Sequence, residues 1–235
     1  MRFAVLGTGT VGRTVAAKLA SLGHEVTIGT RDPQATLART EPDAMGTPPF
    51  AQWHQGNPRI RLATFADAAA SADALVNATS GGGALDALRL AGADNLAGKL
   101  LLDIANPLDF SHGMPPSLNP VNTDSLGEQI QRAFPDAKVV KTLNTMSAHI
   151  MVNPSQVSGE HNVFLSGDDD GAKKAATDLL VSLGWPAAGV LDLGDISTAR
   201  GTEMLLPIWL RLYGSLGHAD FNFHIQGARR VAPAR

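Results

Sequence analysis

Residues 3–12 read Phe3-Ala4-Val5-Leu6-Gly7-Thr8-Gly9-Thr10-Val11-Gly12, an apolar run that meets glycines spaced Gly-x-Gly-x-x-Gly. A short apolar run that stops at glycine is the pattern of a strand buried on both faces, as in a parallel sheet. Beyond the glycines, Val11, Val15, Leu19 and Leu22 recur at near-helical spacing, and Gly23 closes the helix. Glu25–Thr30 follows as a second strand. The first 31 residues therefore make one βαβ unit, and in that setting each glycine has a distinct task. Gly7 permits a tight turn, Gly9 lets a diphosphate approach the backbone, and Gly12 lets the helix pack closely on the strand. The helix N-terminus adds unpaired N–H groups and the positive end of its dipole. The stretch predicts a dinucleotide diphosphate held by Gly7, Thr8, Gly9, Thr10, Val11 and Gly12.

Working outward, strands alternate with helices almost to the end of the chain. A helix is expected to begin near residues 35–39, with Pro42, Pro48, Pro49 and Pro58 breaking the rest of that segment into loop. Strands are expected over residues 59–64, 73–78, 100–104, 138–143, Val163–Ser166 and 190–193, with Pro-rich loop over 109–120. Helices are expected over 65–72, 84–91 and 125–134, and over a segment capped by Asp168 and running to about Leu183. A long helix over 196–213, bent at Pro207, and an edge strand over 221–225 complete the reading. The pattern implies an α/β fold, a doubly wound, mostly parallel Rossmann sheet with a small C-terminal α/β extension. Residues 1–146 are assigned to the dinucleotide-binding domain. Residues 147–235 are assigned to an extension that continues the sheet or lines the substrate cleft.

The end of the second strand bears on which dinucleotide binds. An NAD site places a carboxylate there for the ribose hydroxyls; here the chain reads Gly29-Thr30-Arg31. A hydroxyl and a guanidinium at Thr30 and Arg31 suit a 2′-phosphate, hence NADP(H). Asp32 stands near the ribose-binding distance, but Asp32-Pro33 has the form of a helix start, which turns the carboxylate toward backbone N–H groups. Further strand ends supply Thr79 and Ser80, then Ala105, Asn106 and Pro107, then Leu143 and Asn144, as candidate contacts for ribose and nicotinamide.

No catalytic side chain and no metal site is assigned. His149 is the one histidine near the rim, Arg200 and Glu203 have the spacing of a local ion pair, and Lys141 is read as rim-facing or as a packed stem with a solvated head. Asp168-Asp169-Asp170 reads as a helix start. Hydride transfer between two redox carriers requires apposed rings and a dry pocket more than a protein acid. Carbonyl reduction ordinarily uses a Tyr or Lys donor, and Tyr213, the only tyrosine, has no evident partner.

Composition narrows the field. Hydrophobic residues are 44% and charged residues 17%, ordinary for a globular chain. A net charge of −3 gives no field that would favour nucleic acid or an anionic membrane, and Arg229, Arg230 and Arg235 read as a solvated tail. With no cysteine, disulfides, thiolate metal sites and cysteine nucleophiles are excluded. The first apolar run is too short for a signal-peptide core and no stretch has membrane-span length, so a cytoplasmic protein is expected.

Beyond the glycine run and Gly29-Thr30-Arg31, three segments resemble the NADP oxidoreductases dependent on the deazaflavin coenzyme F420. They are Asp103-Ile104-Ala105-Asn106-Pro107-Leu108, Lys141-Thr142-Leu143-Asn144-Thr145, and Gly194-Asp195 through Arg200 and Glu203 to Pro207-Ile208-Trp209. The resemblance implies NADPH along the strand ends and a second carrier stacked on the nicotinamide in a cleft walled by the C-terminal segment. It also implies hydride transfer between nicotinamide C4 and deazaflavin C5, and a homodimer. The segment over residues 34–58, with Trp53 and His54, is longer than a compact member needs, and the loop from Thr79 to Gly83 lacks an expected proline. The N-terminal architecture also resembles the NADPH domain of membrane-bound metalloreductases, which pass hydride to a flavin. Two other readings stay open at this point: a reductase of a small imine or carbonyl, and a non-catalytic NADPH-binding redox sensor.

Overall fold

The computed structural model describes residues 1–43 and 46–227. The basic tail with Arg229, Arg230 and Arg235 lies outside the described residues. The strands are β1 (Arg2–Leu6), β2 (Glu25–Thr30), β3 (Arg61–Thr64), β4 (Ala74–Asn77), β5 (Leu100–Asp103), β6 (Leu108–Asp109), β7 (Ser117–Leu118), β8 (Lys138–Thr142), β9 (Val163–Ser166) and β10 (Val190–Asp192). The helices are α1 (Thr10–Ser21), α2 (Pro33–Ala38), α3 (Phe50–Gln55), α4 (Phe65–Ser71), α5 (Gly81–Ala91), α6 (Ala93–Leu96), α7 (Leu126–Ala133), α8 (Ala148–Val152), α9 (Asp170–Ser182), α10 (Ala199–Glu203) and α11 (Leu206–Leu216).

Eight strands form one sheet in the order β10-β9-β8-β5-β4-β1-β2-β3, while β6 and β7 make a separate antiparallel pair. From β3 to β8 all neighbours are parallel. β9 pairs antiparallel with β8, and β10 runs parallel with β9. The chain winds outward from β1 in both directions, which leaves a crevice at the carboxyl ends of β1 and β4.

Alternation along β1 sorts its side chains to opposite faces. Phe3 and Val5 join a core with Val15 and Leu19 of α1, Ile150 of α8 and Leu180 of α9. Ala4 and Leu6 join another with Phe65 and Ala68 of α4, Leu88 of α5 and Ile130 of α7. Helices thus cover both faces of a mostly parallel sheet, as the alternating pattern requires. Among the described residues, no helix is long and apolar enough to cross a membrane.

Several local expectations are corrected. Residues 50–55 are helical rather than loop, because Pro49 sits just before the first turn, where a missing N–H costs nothing, and Phe50 is buried. The glycines at 81–83 form the first turn of α5 instead of a loop. A two-residue-per-strand hairpin, β6 and β7, stands within the Pro-rich stretch. The cap of α9 is Asp169, which accepts from the Ala172 N–H at 2.7 Å; Asp168 accepts instead from the Ile196 N–H at 2.9 Å. The long C-terminal helix is divided, with a 3-10 turn over Ile196–Thr198, then α10, then α11 with Pro207 in its first turn. Residues 221–225 form no strand. They dock on Asn162 instead, whose N–H donates to the Phe223 carbonyl and whose side-chain oxygen accepts from the Ile225 N–H.

Candidate functional site

The turn from β1 to α1 has the geometry its glycines predict. Gly7 has φ of +122°, a left-handed conformation that glycine tolerates, and a Cβ there would lie 2.4 Å from the Ala78 carbonyl oxygen. A Cβ on Gly12 would lie 2.2 Å from the Gly7 oxygen, so the helix can seat this close only as glycine. A Cβ on Gly9 would meet nothing within 4 Å. Gly9 therefore leaves open space beside the N-terminus of α1, whose first bond of the helical ladder is Arg13 N–H to the Gly9 carbonyl at 3.0 Å. The N–H groups of Thr10, Val11 and Gly12 precede that bond and lack a helical acceptor.

Arg13 secures this turn from behind. Its guanidinium donates to the Thr8 carbonyl at 2.7 Å and to the Pro48 carbonyl at 2.6 Å, and lies 5.3 Å from the Phe50 ring centroid. The Thr10 hydroxyl meets the Thr47 hydroxyl at 3.0 Å. The segment before α3 is thereby folded against the glycine turn. Within α3, Trp53 and His54 pack against Phe50.

At the end of β2, the three neighbours Thr30, Arg31 and Asp32 differ in availability. Thr36 Oγ1 donates to the Asp32 carbonyl at 2.8 Å, so Thr30, 2.9 Å from Thr36 Oγ1, must donate there. The Thr30 proton is committed, and the residue is buried. Asp32 caps α2, accepting from the Ala35 N–H at 3.0 Å. Arg31 is exposed, and among the described residues its side chain has no hydrogen-bond or ion-pair partner. The free group at this strand end is a cation.

The other strand ends meet at a cavity of about 370 Å³. Its walls include Val11, Ala78 to Gly82, Ile104, Ala105, Asn106 and Asn144, together with Met146, Met151, Leu108, Phe110, Leu206 and Trp209. Every polar side chain among these lining residues is a hydroxyl, an amide or the Trp209 indole. Asn106 and Asn144 are locked by reciprocal bonds: Asn106 Nδ2 donates to the Asn144 carbonyl at 2.7 Å, and Asn144 Nδ2 to Asn106 Oδ1 at 2.9 Å. Thr79 donates its hydroxyl to Asn77 Oδ1 at 2.7 Å, which fixes the first residues after β4.

Of the strand-end residues predicted as contacts, Thr79, Ser80, Ala105, Asn106 and Asn144 meet at this cavity with Val11. Leu143 does not. It has φ of +61° and its side chain is buried in the core, so its contribution is to turn the chain toward Asn144. Pro107 is buried beside the cavity without lining it, its backbone packed against Gly81. Sequence reasoning does not single out Phe110, Met146, Met151 or Leu206; apolar residues after strand ends carry no signal that separates them from core. His149 lies outside the cavity, with Nε2 2.8 Å from Asp220 Oδ1.

Beneath the rim lies a buried charge cluster. Lys141 and Asp103 have fully buried side chains and Glu203 nearly so. Lys141 Nζ donates to Asp103 Oδ2 at 2.6 Å and to the Ala105 carbonyl at 2.6 Å, and stands 2.8 Å from Glu203 Oε1. Burial alone would push the Lys141 ammonium down; Asp103 and Glu203 outweigh it and hold the ammonium above its ordinary value. Burial raises the Glu203 carboxyl, against the pull of Lys141. Both readings of Lys141 are corrected, since its head is neither solvated nor on the rim. Arg200 and Glu203 are not a local pair either: Arg200 makes two bonds to Glu128, at 2.8 and 2.6 Å, while Glu203 turns inward. Among the described residues no cluster could hold a metal ion.

A sheet of this order, with a glycine turn at its switch point, defines the class of dinucleotide-binding Rossmann proteins. Residues 2–107 match the family described as NADP oxidoreductase, coenzyme F420-dependent. A solved structure of a candidate F420-dependent NADP reductase from Arthrobacter sp. FB24 is 66% identical, with a TM-score of 0.91 over 95% of this chain and 98% of that one. This chain belongs to that family, and is an NADP-dependent oxidoreductase. Metalloreductase STEAP3 of Rattus norvegicus is 28% identical over 210 residues, 87% of this chain. The chain spans 37% of the length of that curated relative. A reductive aminase from Aspergillus terreus shares the fold, at 17% identity and a TM-score of 0.61 over 92% of this chain and 62% of that one.

Proposed function

We propose that this chain transfers hydride between NADPH and the ring of a deazaflavin, coenzyme F420, or of a flavin seated in the 370 Å³ cavity. The observation that carries this reading is the character of the cavity wall, which is largely apolar with only hydroxyl, amide and indole groups among its polar side chains. Such a wall excludes water and positions planar rings, and offers no side chain that acts as a strong acid near neutral pH. The 66% identity to a candidate F420-dependent NADP reductase supports the same acceptor.

The residues fit the dinucleotide. The open space at Gly9 and the unpaired N–H groups of Thr10, Val11 and Gly12 would hold the diphosphate. Arg31 would pair with the 2′-phosphate, beside Thr30 at the strand end. Thr79, Ser80, Ala105 and Asn106 would line the ribose and nicotinamide end, with Asn144 holding Asn106, and Pro107 and Leu143 shaping the loops behind them. When bound, NADPH supplies the hydride and the deazaflavin or flavin ring accepts it. The protein would orient both partners through the apolar lining that Val11, Ala105, Phe110 and Trp209 supply. Trp209 is itself held between Tyr213, at 5.6 Å between ring centroids, and Phe221, at 5.4 Å. We further assign the outer face of α11 to a homodimer contact, because Ile208, Tyr213 and Leu216 are 51%, 48% and 49% exposed on an apolar helix. A solution mass equal to one chain overturns that assignment.

The reading is tested by mixing protein and NADPH with coenzyme F420 or a flavin, following nicotinamide and acceptor absorbance together. Coupled bleaching of both bands is expected. NADPH binding without turnover of either acceptor, or turnover only with an imine or carbonyl, refutes it.

A further inference from the structure

We propose that Lys141, Asp103 and Glu203 act as positioning residues, a buried clasp that ties the acceptor-side wall of the cavity to the cofactor-side rim and so sets the gap between two bound rings. The proposal rests on the hydride-transfer reading above. It assigns the cluster a role that burial in the core would not by itself require.

The clasp joins segments far apart in the chain. Asp103 ends β5. Its Oδ1 accepts from Asn77 Nδ2 at 2.8 Å and from the Ala105 N–H at 3.2 Å, and its Oδ2 accepts from Lys141. Asn77 in turn holds Thr79. The cofactor-side rim at Thr79 and Ala105 is therefore built on one carboxylate. On the other side, Glu203 is the last residue of α10, and Leu206 and Trp209 follow three and six residues later in the cavity wall. Glu203 is anchored at both oxygens: Oε2 accepts from the Leu126 N–H at 2.9 Å, and Oε1 from the Gly127 N–H at 3.1 Å beside Lys141. Those two N–H groups open α7, whose positive end offsets the second carboxylate of a cluster holding two acids and one base.

All three protons of the Lys141 ammonium are matched, to Asp103, Ala105 and Glu203. Lys141 thus bonds rim and wall directly, in addition to the apolar packing of Ala105 with Leu126, Ile196 and Ala199. A buried ion cluster is a poor device for stability, since apolar residues of similar volume serve equally well. Its directional bonds are a good device for holding two surfaces in register.

The test uses the full chain with Glu203→Gln, Lys141→Met and the double variant. Glutamine has the shape of glutamate, yet its amide keeps one acceptor oxygen where three donors converge on residue 203. In Glu203→Gln, the acceptor KM is expected to rise about tenfold while the NADPH dissociation constant changes less than about twofold. Adding Lys141→Met to Glu203→Gln should cost little beyond either change alone, because the residues act as one unit. Amide hydrogen exchange supplies a readout that needs no acceptor. Residues 104–106 and the amides of 204–206, 208 and 209 should exchange about tenfold faster in Glu203→Gln, with residues 7–12 unchanged. Exchange that is unaltered, or that rises evenly along the chain, overturns the clasp. So does a matched loss of NADPH and acceptor affinity. If the wild-type protein turns over neither acceptor, the functional reading fails while the exchange experiment still decides the clasp.

Discussion

Replacing Arg31 by alanine should separate NADPH from NADH. Arg31 is exposed and, among the described residues, pairs with nothing, so its loss breaks no internal bond and should move stability by less than about 0.5 kcal/mol. A phosphate dianion about 4 Å from a guanidinium in water-like dielectric gains about 1 kcal/mol per charge, hence about 2 kcal/mol. Charge-assisted hydrogen bonds at the same contact lift the total toward about 3 kcal/mol. At about 1.4 kcal/mol per tenfold, NADPH binding should weaken by about 30- to 150-fold. The adjacent strand-end side chains cannot take over, because the Thr30 proton is committed to Thr36 and Asp32 is bound to the α2 backbone. NADH lacks the phosphate, so its affinity should hold within about twofold. Titration by calorimetry or nicotinamide fluorescence, with both cofactors and at two salt concentrations, measures this directly. Raised salt should shrink the wild-type preference, since an exposed contact is screened within about 10 Å at 0.1 M. Equal losses for NADPH and NADH, or no loss for either, refute the assignment of the 2′-phosphate to Arg31.

Other expectations follow from the same geometry. Gly12→Ala places a methyl 2.2 Å from the Gly7 oxygen, so the turn must open by about 1 Å to reach ordinary contact, and affinity for NADPH and NADH should fall together. Unchanged affinity for both would show that the turn does not hold the diphosphate. The Glu128 carboxyl is held below its ordinary 4.5, first by its hydrogen bonds to Arg200 and then by Ser125. A carboxyl so depressed adds stability above its unfolded value, and that stability is lost as pH falls through the folded one. Thermal midpoints measured from pH 6 downward should therefore decline less steeply in Glu128→Gln than in wild type below about pH 4.5. Parallel declines would show that the Arg200 pair contributes nothing measurable.

The βαβ opening is legible in the sequence because its signals are local. Apolar run, glycine spacing and helical periodicity all fall within 31 residues, and Glu25–Thr30 and Val163–Ser166 match strand bounds residue for residue. Asp32 is likewise legible as a cap, because capping is decided within four residues. Periodicity fails where elements are short. The five residues of α8 and six of α3 span too few turns to repeat, and three glycines at the start of α5 imitate a loop. The residues that gather at the cavity are legible by position, at the strand ends, more than by partner. Lys141 finds acceptors at residues 103, 105 and 203, and no spacing rule announces such a convergence. Arg200 and Glu203 show the hazard of the opposite inference. Their separation fits a surface pair, yet Arg200 bonds to the Glu128 side chain and Glu203 to Lys141 and the first N–H groups of α7.

The reversal of direction at β9 shapes how such a pocket can diversify. β8 ends at the rim, and β9 begins at that same edge because it runs the opposite way. β9 and β10 then carry the chain to the far edge, and α10 and α11 bring Leu206 and Trp209 back to the cavity. The glycine turn and Arg31 are encoded before residue 32, and the returning wall after residue 199. If the cavity seats the hydride partner as proposed, substitutions, or an exchange of the terminal segment between homologues, would retune that choice while leaving the glycine turn and Arg31 unchanged.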